Sequence, residues 1–576
     1  MVRMAWAMLL VIASSMTAAL ASPPAADIQR TQPGPEAPAS MRLEFDTAVL
    51  SDDLMEGREA GKRGHDFAAQ FVAERFRSLG LTPVSATLEY FQLVPVTVHS
   101  PRVRGGAKLW IEGDLFEPGL EIVGFSRRDD IRLAHAPIVF VNYGLVSKRY
   151  RRDDYKGIDV RGAIVVAIKG APSWIPADER AWLTSQQAAQ AEARGAAAFL
   201  SILPPSHETD VESFADLALK RYSGDRLVPA SARHSSLLGE AVMGRRGAEK
   251  LFTKARRSFA QHYAQAERSS GQPKPVKLKL KGSMRFGSRA VSVSSPNVVG
   301  IVPGIDPYLA GEAVVVTAHL DHLGRREGEM VFDGALDNAA GVAALLELAK
   351  DIAEQPARRT IIFAATTGGE HDLLGSDYLA ANPVLAGSNV VANVNLDMPL
   401  VGNAFSWATA HGARRTSLAP LVSASLSRAG VREVHDPLPE QGFFTRSDHY
   451  SFMRRGIPSV YLVVGGGDVN RQRADVRLAG QPSDPDQPSP LRFDELSRYV
   501  GLHQDMVREI ADADLAPRWN EEDVFATLFN EPAPAARTQR SRKAARRQAS
   551  ASSLVVEASQ VSASAPAELG QAPRRD

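Results

Sequence analysis

The stretch VVVTAHLDHLGRREGEMVFDGALDNAAG, residues 314–341, decides the fold of this chain. Its β-branched start predicts a buried strand that ends at His319 and Asp321. Asp337 follows a loop, and from Val342 onward apolar residues recur at helical spacing. A histidine and an aspartate are therefore expected at a strand end and a helix start, where a sheet opens a crevice. Imidazole and carboxylate are zinc ligands, although a strand-end histidine and a helix-capping aspartate would give the same pattern.

The composition limits the possible classes of function. With 576 residues, the chain has room for two or three domains, and 44% hydrophobic and 23% charged residues are ordinary for a globular protein. The formal net charge of +1 gives no reason to expect a nucleic acid as partner. The chain has no cysteine, which excludes disulfides, thiolate zinc ligands and a cysteine nucleophile. Any metal must be held by His, Asp and Glu.

The first 21 residues have the pattern of a secretory signal peptide. Arg3 precedes an uncharged apolar segment from Ala5 to Leu20, and Ala19-Leu-Ala21 offers a small-x-small cleavage site. A retained membrane anchor is the alternative, but the apolar segment is short for a membrane span. We therefore expect an exported protein, periplasmic or secreted, with no membrane span after cleavage.

From residue 296 to about 515, predicted strands alternate with predicted helices. The strands are expected at 297–302, 313–318, 360–366, 390–396 and 457–464, and the helices at 339–354, 373–381, 415–429 and 494–512. Such alternation predicts an α/β fold with a mostly parallel central sheet and helices on both faces. Between 126 and 280 the pattern is richer in strands and shows no convergent catalytic residues.

The chain divides into six predicted regions. They are a signal peptide (1–21), a disordered linker (22–40), an N-terminal part of the catalytic unit (41–125), an inserted β-rich domain (126–280), a catalytic domain (281–515) and a disordered basic tail rich in Ala, Ser and Pro (516–576).

Further ligand-type residues follow other predicted strands. Glu370 comes after the strand at 360–366, and Asp397 closes the next strand. Asp448 and His449 precede the strand at 457–464. Because the ends of parallel strands form one crevice, several such residues together predict a metal site more specifically than any one alone.

Several motifs of this chain resemble metallopeptidase family 28, the co-catalytic di-zinc aminopeptidases. They are AHLDHLG, FDGALDNAAGVAALLELA, LLGSDYLA, NLDMP and PEQGFFTRSDHYSFMRRGIPSV. DDYKGIDVRGAIVVAIKGAP, in addition, resembles the inserted protease-associated domain of that family. The resemblance implies a three-layer α/β/α domain with a β-rich insertion. It also implies zinc-dependent hydrolysis at the free N-termini of peptides or proteins.

The resemblance assigns roles to five residues. His319 and Asp397 match the ligands of one zinc ion, and Asp337 matches the carboxylate that bridges two. Glu370 matches the carboxylate ligand of the second zinc ion. Asp321 matches the acid that orients the His319 imidazole, which fixes the tautomer and raises ligand basicity.

The chain departs from the family at two positions. Relatives carry a general-base glutamate where alignment on Leu373-Leu-Gly-Ser376 places Gly369, so the base is not found. Relatives also carry a zinc-ligand histidine before a Pro-x-Asp turn, where this chain has Gly480. We therefore expect one zinc ion rather than two. Three residues are possible substitutes or pocket residues: His371, Asp448 and His449. His503 is a further histidine that could move in as a ligand.

Two functions are compatible with this pattern. The first is an exported aminopeptidase with a rearranged metal centre. The second is a pseudopeptidase that keeps the fold for binding a peptide or a partner. A serine hydrolase is disfavoured because Ser447, Asp448 and His449 are contiguous, whereas triad residues come from separated positions. The His-Glu-x-x-His zinc motif is also absent.

Overall fold

Two large β-sheets form the framework of the protein, as described here from a computed structural model. It describes residues 32–102, 106–126, 130–205, 214, 225–230, 235–268, 271–326, 330–385, 389–467 and 491–529. The described residues up to Asn520 form one compact unit, and the described residues 521–529 belong to another. The predicted signal peptide lies outside the described residues.

Twelve α-helices occur among the described residues. They are α1 (Ala39–Leu50), α2 (Arg63–Ser78), α3 (Ala177–Glu192), α4 (Arg245–Lys254), α5 (Phe259–Ala266), α6 (Ala340–Glu354), α7 (Leu374–Ala381), α8 (Ala419–Arg428), α9 (Phe443–Arg446), α10 (His449–Met453), α11 (Phe493–Asp512) and α12 (Val524–Phe529).

The described strands number twenty-two. They are β1 (Thr82–Pro83), β2 (Phe91–Pro101), β3 (Ala107–Ile111), β4 (Asp114–Phe116), β5 (Ile122–Phe125), β6 (Ile131–Phe140), β7 (Val146–Ser147), β8 (Arg152–Asp153), β9 (Ile164–Ile168), β10 (Ala198–Ile202), β11 (Arg226–Pro229), β12 (Glu240–Met243), β13 (Val276–Phe286), β14 (Ser288–Val302), β15 (Glu312–His319), β16 (Gly324–Arg326), β17 (Met330–Phe332), β18 (Thr360–Thr366), β19 (Asn389–Asn395), β20 (Trp407–His411), β21 (Arg432–Glu433) and β22 (Ser459–Gly465).

The larger sheet has ten strands and a parallel centre. Its main path runs β11-β2-β14-β18-β15-β19-β22-β20-β21, and β1 pairs with β14. The four central strands, β18, β15, β19 and β22, are parallel to one another. On one side, β14 pairs antiparallel with β18, and β2 pairs antiparallel with β14. On the other side, β20 pairs antiparallel with β22. The α/β prediction is thus confirmed, with a parallel centre inside a mixed sheet.

Alternate residues of the central strands enter two different cores, as expected when both faces of a sheet are covered. Val314 and Val316 of β15 belong to the larger core, which also contains apolar residues of α1, α2, α6 and α11. Val315 belongs to a smaller core on the other face, together with Leu379 of α7 and Phe452 of α10. These helices and the sheet make three layers, as the resemblance implied.

The second sheet has eight strands in the order β4-β3-β13-β6-β9-β10-β12-β5. It spans residues 107–286, so the domain boundary that we placed at residue 126 falls between two of its strands, β5 and β6. Strand β11 lies within this stretch of sequence but pairs with β2 of the larger sheet. The inserted region is therefore joined to the catalytic unit by a shared strand as well as by its two chain connections.

The segment that we predicted as a disordered tail, 516–576, begins too early. Trp519 is only 9% exposed, and its Nε1–H donates to the Gly456 carbonyl at 2.8 Å, because the indole finds an apolar site with a polar partner. Val524–Phe529 then form α12 in the second unit. Residues from 530 onward lie outside the described ranges. In the described ranges, no helix has the length and apolar character of a membrane span.

Candidate metal centre

Three ligand atoms converge at the carboxyl end of the central strands. His319 is the last residue of β15, Asp397 follows β19, and Asp337 lies in a short helical turn before α6. The Nε2 atom of His319 is 3.1 Å from Asp337 Oδ1 and 3.2 Å from Asp397 Oδ1. Ligand atoms about 2.05 Å from a tetrahedral zinc ion lie about 3.3 Å apart. The spacing of this first group therefore suits one zinc ion.

The His319 ring is oriented so that Nε2 faces the carboxylates. Its Nδ1 lies 3.0 Å from the backbone carbonyl of Asp321, a contact that fixes Nδ1 as the donor. Burial alone lowers the pKa of His319, but the carboxylates of Asp397 and Asp337 outweigh it and raise that pKa well above the ordinary value. Nε2 thus lies in a strongly cation-attracting position, suited to a proton or a metal ion.

The Asp321 carboxylate contacts a different partner from the one that the resemblance implied. It lies 3.9 Å from His319 Nδ1, and instead accepts the backbone N–H groups of Gly369 at 2.8 Å and Glu370 at 3.3 Å. Complete burial raises the pKa of Asp321 to about 6. Asp321 therefore orients His319 through its carbonyl and holds the Glu370 loop through its side chain.

A second group of ligand atoms adjoins the first. It consists of His322, Asp337 and Glu370, whose donor atoms all lie within 4.8 Å of one another. His322 Nδ1 is 3.2 Å from Glu370 Oε1, and Asp337 belongs to both groups. We did not identify His322 from the sequence. It follows Asp321 in a loop, without the helical or strand spacing that usually marks a ligand pair.

Buried amides and hydroxyls hold the ligands of the first group in place. Asn338 donates to the carbonyls of His319 at 3.4 Å and Leu396 at 3.0 Å, and its side-chain oxygen accepts the Met398 N–H at 3.1 Å. The Ser447 hydroxyl donates to Asp397 Oδ2. Such outer contacts fix ligand orientation and raise metal affinity.

Gly369 is pressed against the His319 side chain. A Cβ atom at this position would lie 2.6 Å from His319 Cβ and 2.7 Å from Cγ, closer than real Cβ contacts. The loop therefore has no room for a larger residue in its present path. The position that the resemblance assigns to a general-base glutamate is occupied by backbone packed on a ligand.

The inserted region contacts the loop that carries Glu370. The Leu227 N–H of β11 donates to His371 Nδ1 at 3.4 Å, and Arg226 of β11 pairs with Asp372 at 2.7 Å. The residues on the C-terminal side of Glu370 are thus anchored to β11. His371 belongs to neither ligand group of the described residues, and its Nδ1 accepts the Leu227 N–H, so its role as a substitute ligand stays a prediction.

The other candidate substitutes lie outside both ligand groups. Asp448 is buried and accepts the Thr366 hydroxyl at 2.6 Å. His449 lies among aromatic rings, with its centroid 5.4 Å from that of Tyr461. His503 is buried in α11, where its Nδ1 contacts the Tyr499 carbonyl at 2.9 Å. Gly480, the position of the missing ligand, lies outside the described residues.

Chemically, the centre suits a hard or borderline divalent cation. Its two groups contain two imidazoles and three carboxylates in all, a nitrogen and oxygen set that zinc accepts. The parallel strands bring these residues together from four separate stretches of sequence. Such a centre can polarise a carbonyl and lower the pKa of a bound water molecule.

Comparison with known proteins agrees with this chemistry. Residues 297–496 match the sequence profile of peptidase family M28. A probable zinc metalloprotease of Pyrenophora teres f. teres is 31% identical over 195 residues, which cover 32% of this chain and 42% of that protein. Leucine aminopeptidase 1 of Trichophyton equinum is 27% identical over 311 residues, which cover 49% of this chain and 79% of that protein.

A solved structure shares the fold over most of the chain. The aminopeptidase from Aneurinibacillus sp. strain AM-1 superposes with a TM-score of 0.51 at 18% identity, over 86% of this chain and 96% of that one. The present chain spans about two fifths of the length of the Pyrenophora relative. The match to family M28 is therefore a property of the segment 297–496.

Proposed function

We propose that this protein, whose residues 297–496 belong to peptidase family M28, is an exported zinc metallopeptidase that cleaves the bond after the free N-terminal residue of peptides. The observation that carries the proposal is the convergence of His319 Nε2 with Asp337 and Asp397 at 3.1 and 3.2 Å. Zinc bound there would polarise the scissile carbonyl and supply an activated water molecule. Export is proposed from the signal-peptide pattern of residues 1–21.

The residues around the first group support ligand function. His319 and Asp397 are both 7% exposed, so water competes weakly for the cation, while Asp337 is only partly buried and leaves one side of the centre open. The Asp321 carbonyl fixes the His319 tautomer. The name of the Trichophyton relative, leucine aminopeptidase, supports action at a free N-terminus.

A pseudopeptidase is the second candidate, and Gly369 favours it. Without a carboxylate at that position, proton transfer from water lacks its expected acceptor, a loss that typically lowers the rate about 10²–10⁴-fold. A chain that binds zinc and peptides but turns over no substrate would then serve as a binding protein.

Metal analysis combined with turnover distinguishes the two candidates. We expect the purified full-length chain to contain zinc and to hydrolyse leucyl-p-nitroanilide but not its N-acetylated form, with activity lost after chelation. Asp397→Asn should lose both metal and turnover. Asp514→Asn, at a side chain that is 90% exposed, is the matched control and should retain both. Bound zinc without turnover would support the pseudopeptidase, and the absence of bound zinc would contradict the peptidase.

A further inference from the structure

We infer that His322 is the imidazole ligand of a second metal ion, which it binds together with Glu370 and the shared carboxylate of Asp337. This inference rests on the proposed function, since Asp337 also belongs to the first ligand group. It assigns a role to a residue for which neither the sequence motifs nor the family comparison gave one. It also replaces the expectation of a single zinc ion.

The contact between His322 and Glu370 in the second group is as short as the contacts in the first. His322 Nδ1 lies 3.2 Å from Glu370 Oε1, against 3.1 and 3.2 Å for the contacts of His319 Nε2. All of these lie near the distance of about 3.3 Å expected between two ligands of one tetrahedral zinc ion. Two centres that share one carboxylate have the layout of a two-metal hydrolase.

No hydrogen bond within the described part of the chain explains the place of the His322 ring. The residue is completely buried, and neither ring nitrogen makes a hydrogen bond to any residue that the structure describes. Nδ1 is near Glu370 Oε1, yet the contact lacks hydrogen-bond geometry, as expected of two atoms directed at a common third one. A buried polar atom without a partner destabilises the fold, and a cation would satisfy this one.

Burial without a partner is not enough to define a ligand. His65 is also completely buried, and its ring nitrogens also lack hydrogen bonds. It belongs to neither of the ligand groups found in the described part of the chain. Burial lowers the pKa of His65, and the positive charge of the buried Arg58 lowers it further. The carboxylates of Asp337 and Glu370 distinguish the surroundings of His322 from those of His65.

The ring of His322 is held in place by backbone contacts. Gly334 has a φ of 60°, and a Cβ atom on it would lie 2.6 Å from His322 Cγ. Arg58, completely buried, donates to the carbonyls of Leu320 and Gly334, each at 2.9 Å. It thereby links the loop that carries His322 to the loop that leads to Asp337. Ligands fixed in this way need little rearrangement when a cation binds.

Metal stoichiometry tests the inference independently of activity. The full-length chain is stripped with a chelator, returned to buffer and titrated with zinc under calorimetry. We expect two ions per chain in the wild type and one in His322→Ala, with the remaining site keeping its affinity. His503→Ala removes another completely buried histidine, outside both groups, and should still bind two ions.

The outcomes separate this inference from the proposed function. One zinc ion in the wild type with normal turnover, or two ions in His322→Ala, would overturn the role of His322 and leave the peptidase proposal intact. No zinc in the wild type would overturn both.

A thiol at position 322 provides a second readout if the alanine variant does not fold. The chain contains no cysteine, so His322→Cys introduces its single thiol. Nδ1 is the ring nitrogen nearer the main chain, which makes a short thiol the natural replacement. A thiolate-to-metal absorption band in the cobalt-loaded variant, or the loss of one cobalt ion, supports the ligand role. Two cobalt ions without the band would overturn it, and His371→Cys, which carries a thiol beside Glu370, should show no band.

Discussion

Replacing Gly369 by glutamate would put back the carboxylate that family resemblance places at this position. The structure predicts that the substitution fails to create a general base. A Cβ atom at residue 369 would lie 2.6 Å from His319 Cβ, whereas ordinary contacts begin at 3.4 Å. The two chain segments must therefore separate by at least 0.4 Å to reach 3.0 Å, the shortest contact that real Cβ atoms show, and by 0.8 Å to reach ordinary contact. The atom that has to move belongs to the stem of a ligand, not to the flexible end of a side chain.

The size of the effect follows from the tolerance of metal ligation. Ligand distances in a working site hold to within about 0.2 Å, so a shift of this size in His319 weakens binding. We expect zinc affinity to fall about 10–100-fold, as when an orienting contact is lost. Overpacking of the loop should also lower the free energy of unfolding of the metal-free chain by about 1–3 kcal/mol.

Competition with a chromogenic chelator measures the zinc affinity, and urea unfolding measures the stability. Gly311→Glu is the matched control, because a Cβ atom there would meet nothing within 4 Å. It should leave both quantities nearly unchanged. A rise in leucyl-p-nitroanilide turnover of about 10²–10⁴-fold in Gly369→Glu would refute the steric argument, since it would show that the loop can accept a working base.

Three further predictions concern the loop, the acid stability and the protons of the centre. Arg226→Ala removes the ion pair with Asp372, and because Asp372 is exposed, the substitution should lower the free energy of unfolding by about 1 kcal/mol or less. In the chelator assay it should nevertheless weaken zinc binding at the second site several-fold. An equal loss of affinity at both sites would contradict the anchoring of the Glu370 loop by Arg226. Burial lowers the pKa of His503 from 6.5 to about 4, so the unfolded state binds the extra proton first and stability falls as the pH drops from 6.5 to 4. His503→Leu should remove up to about 3 kcal/mol of this loss, and urea unfolding curves of unchanged pH dependence would be evidence against it. Finally, because the pKa of His319 is raised, its ring is protonated near pH 7, and zinc binding should release about one proton. Calorimetry in buffers of different ionisation enthalpy measures this proton release. A binding enthalpy that does not depend on the buffer would contradict a protonated His319.

The central fold and the residues of the first ligand group were predictable from the residue pattern alone. The predicted strand at 313–318 corresponds to β15 (Glu312–His319), and the predicted helix at 339–354 corresponds to α6 (Ala340–Glu354). These elements carry long apolar repeats, so their periodicity is a strong local signal. His319, Asp337 and Asp397 follow from that order, because the ends of parallel strands must meet at one edge of the sheet.

Short segments with weak local signals were decided by tertiary pairing. Strand β11 (Arg226–Pro229) has four residues, and its partner β2 lies more than a hundred residues away in the chain. No periodicity can be read over so short a run, and the partner of an edge strand is not encoded in its own residues. The anchoring of the Glu370 loop by Arg226 was therefore visible only in the folded chain.

The place of His322 also required the tertiary structure. Its motif, His-Leu-Asp-His, offers two imidazoles three residues apart, and nothing in that spacing says which ring faces which carboxylate. The turn after β15, the Arg58 link and the glycine at 334 direct its Nδ1 toward Glu370. The sequence determined which ligand chemistries were present, because residue types and strand ends are local properties. Only the packing of loops from distant parts of the chain decided which ligands meet.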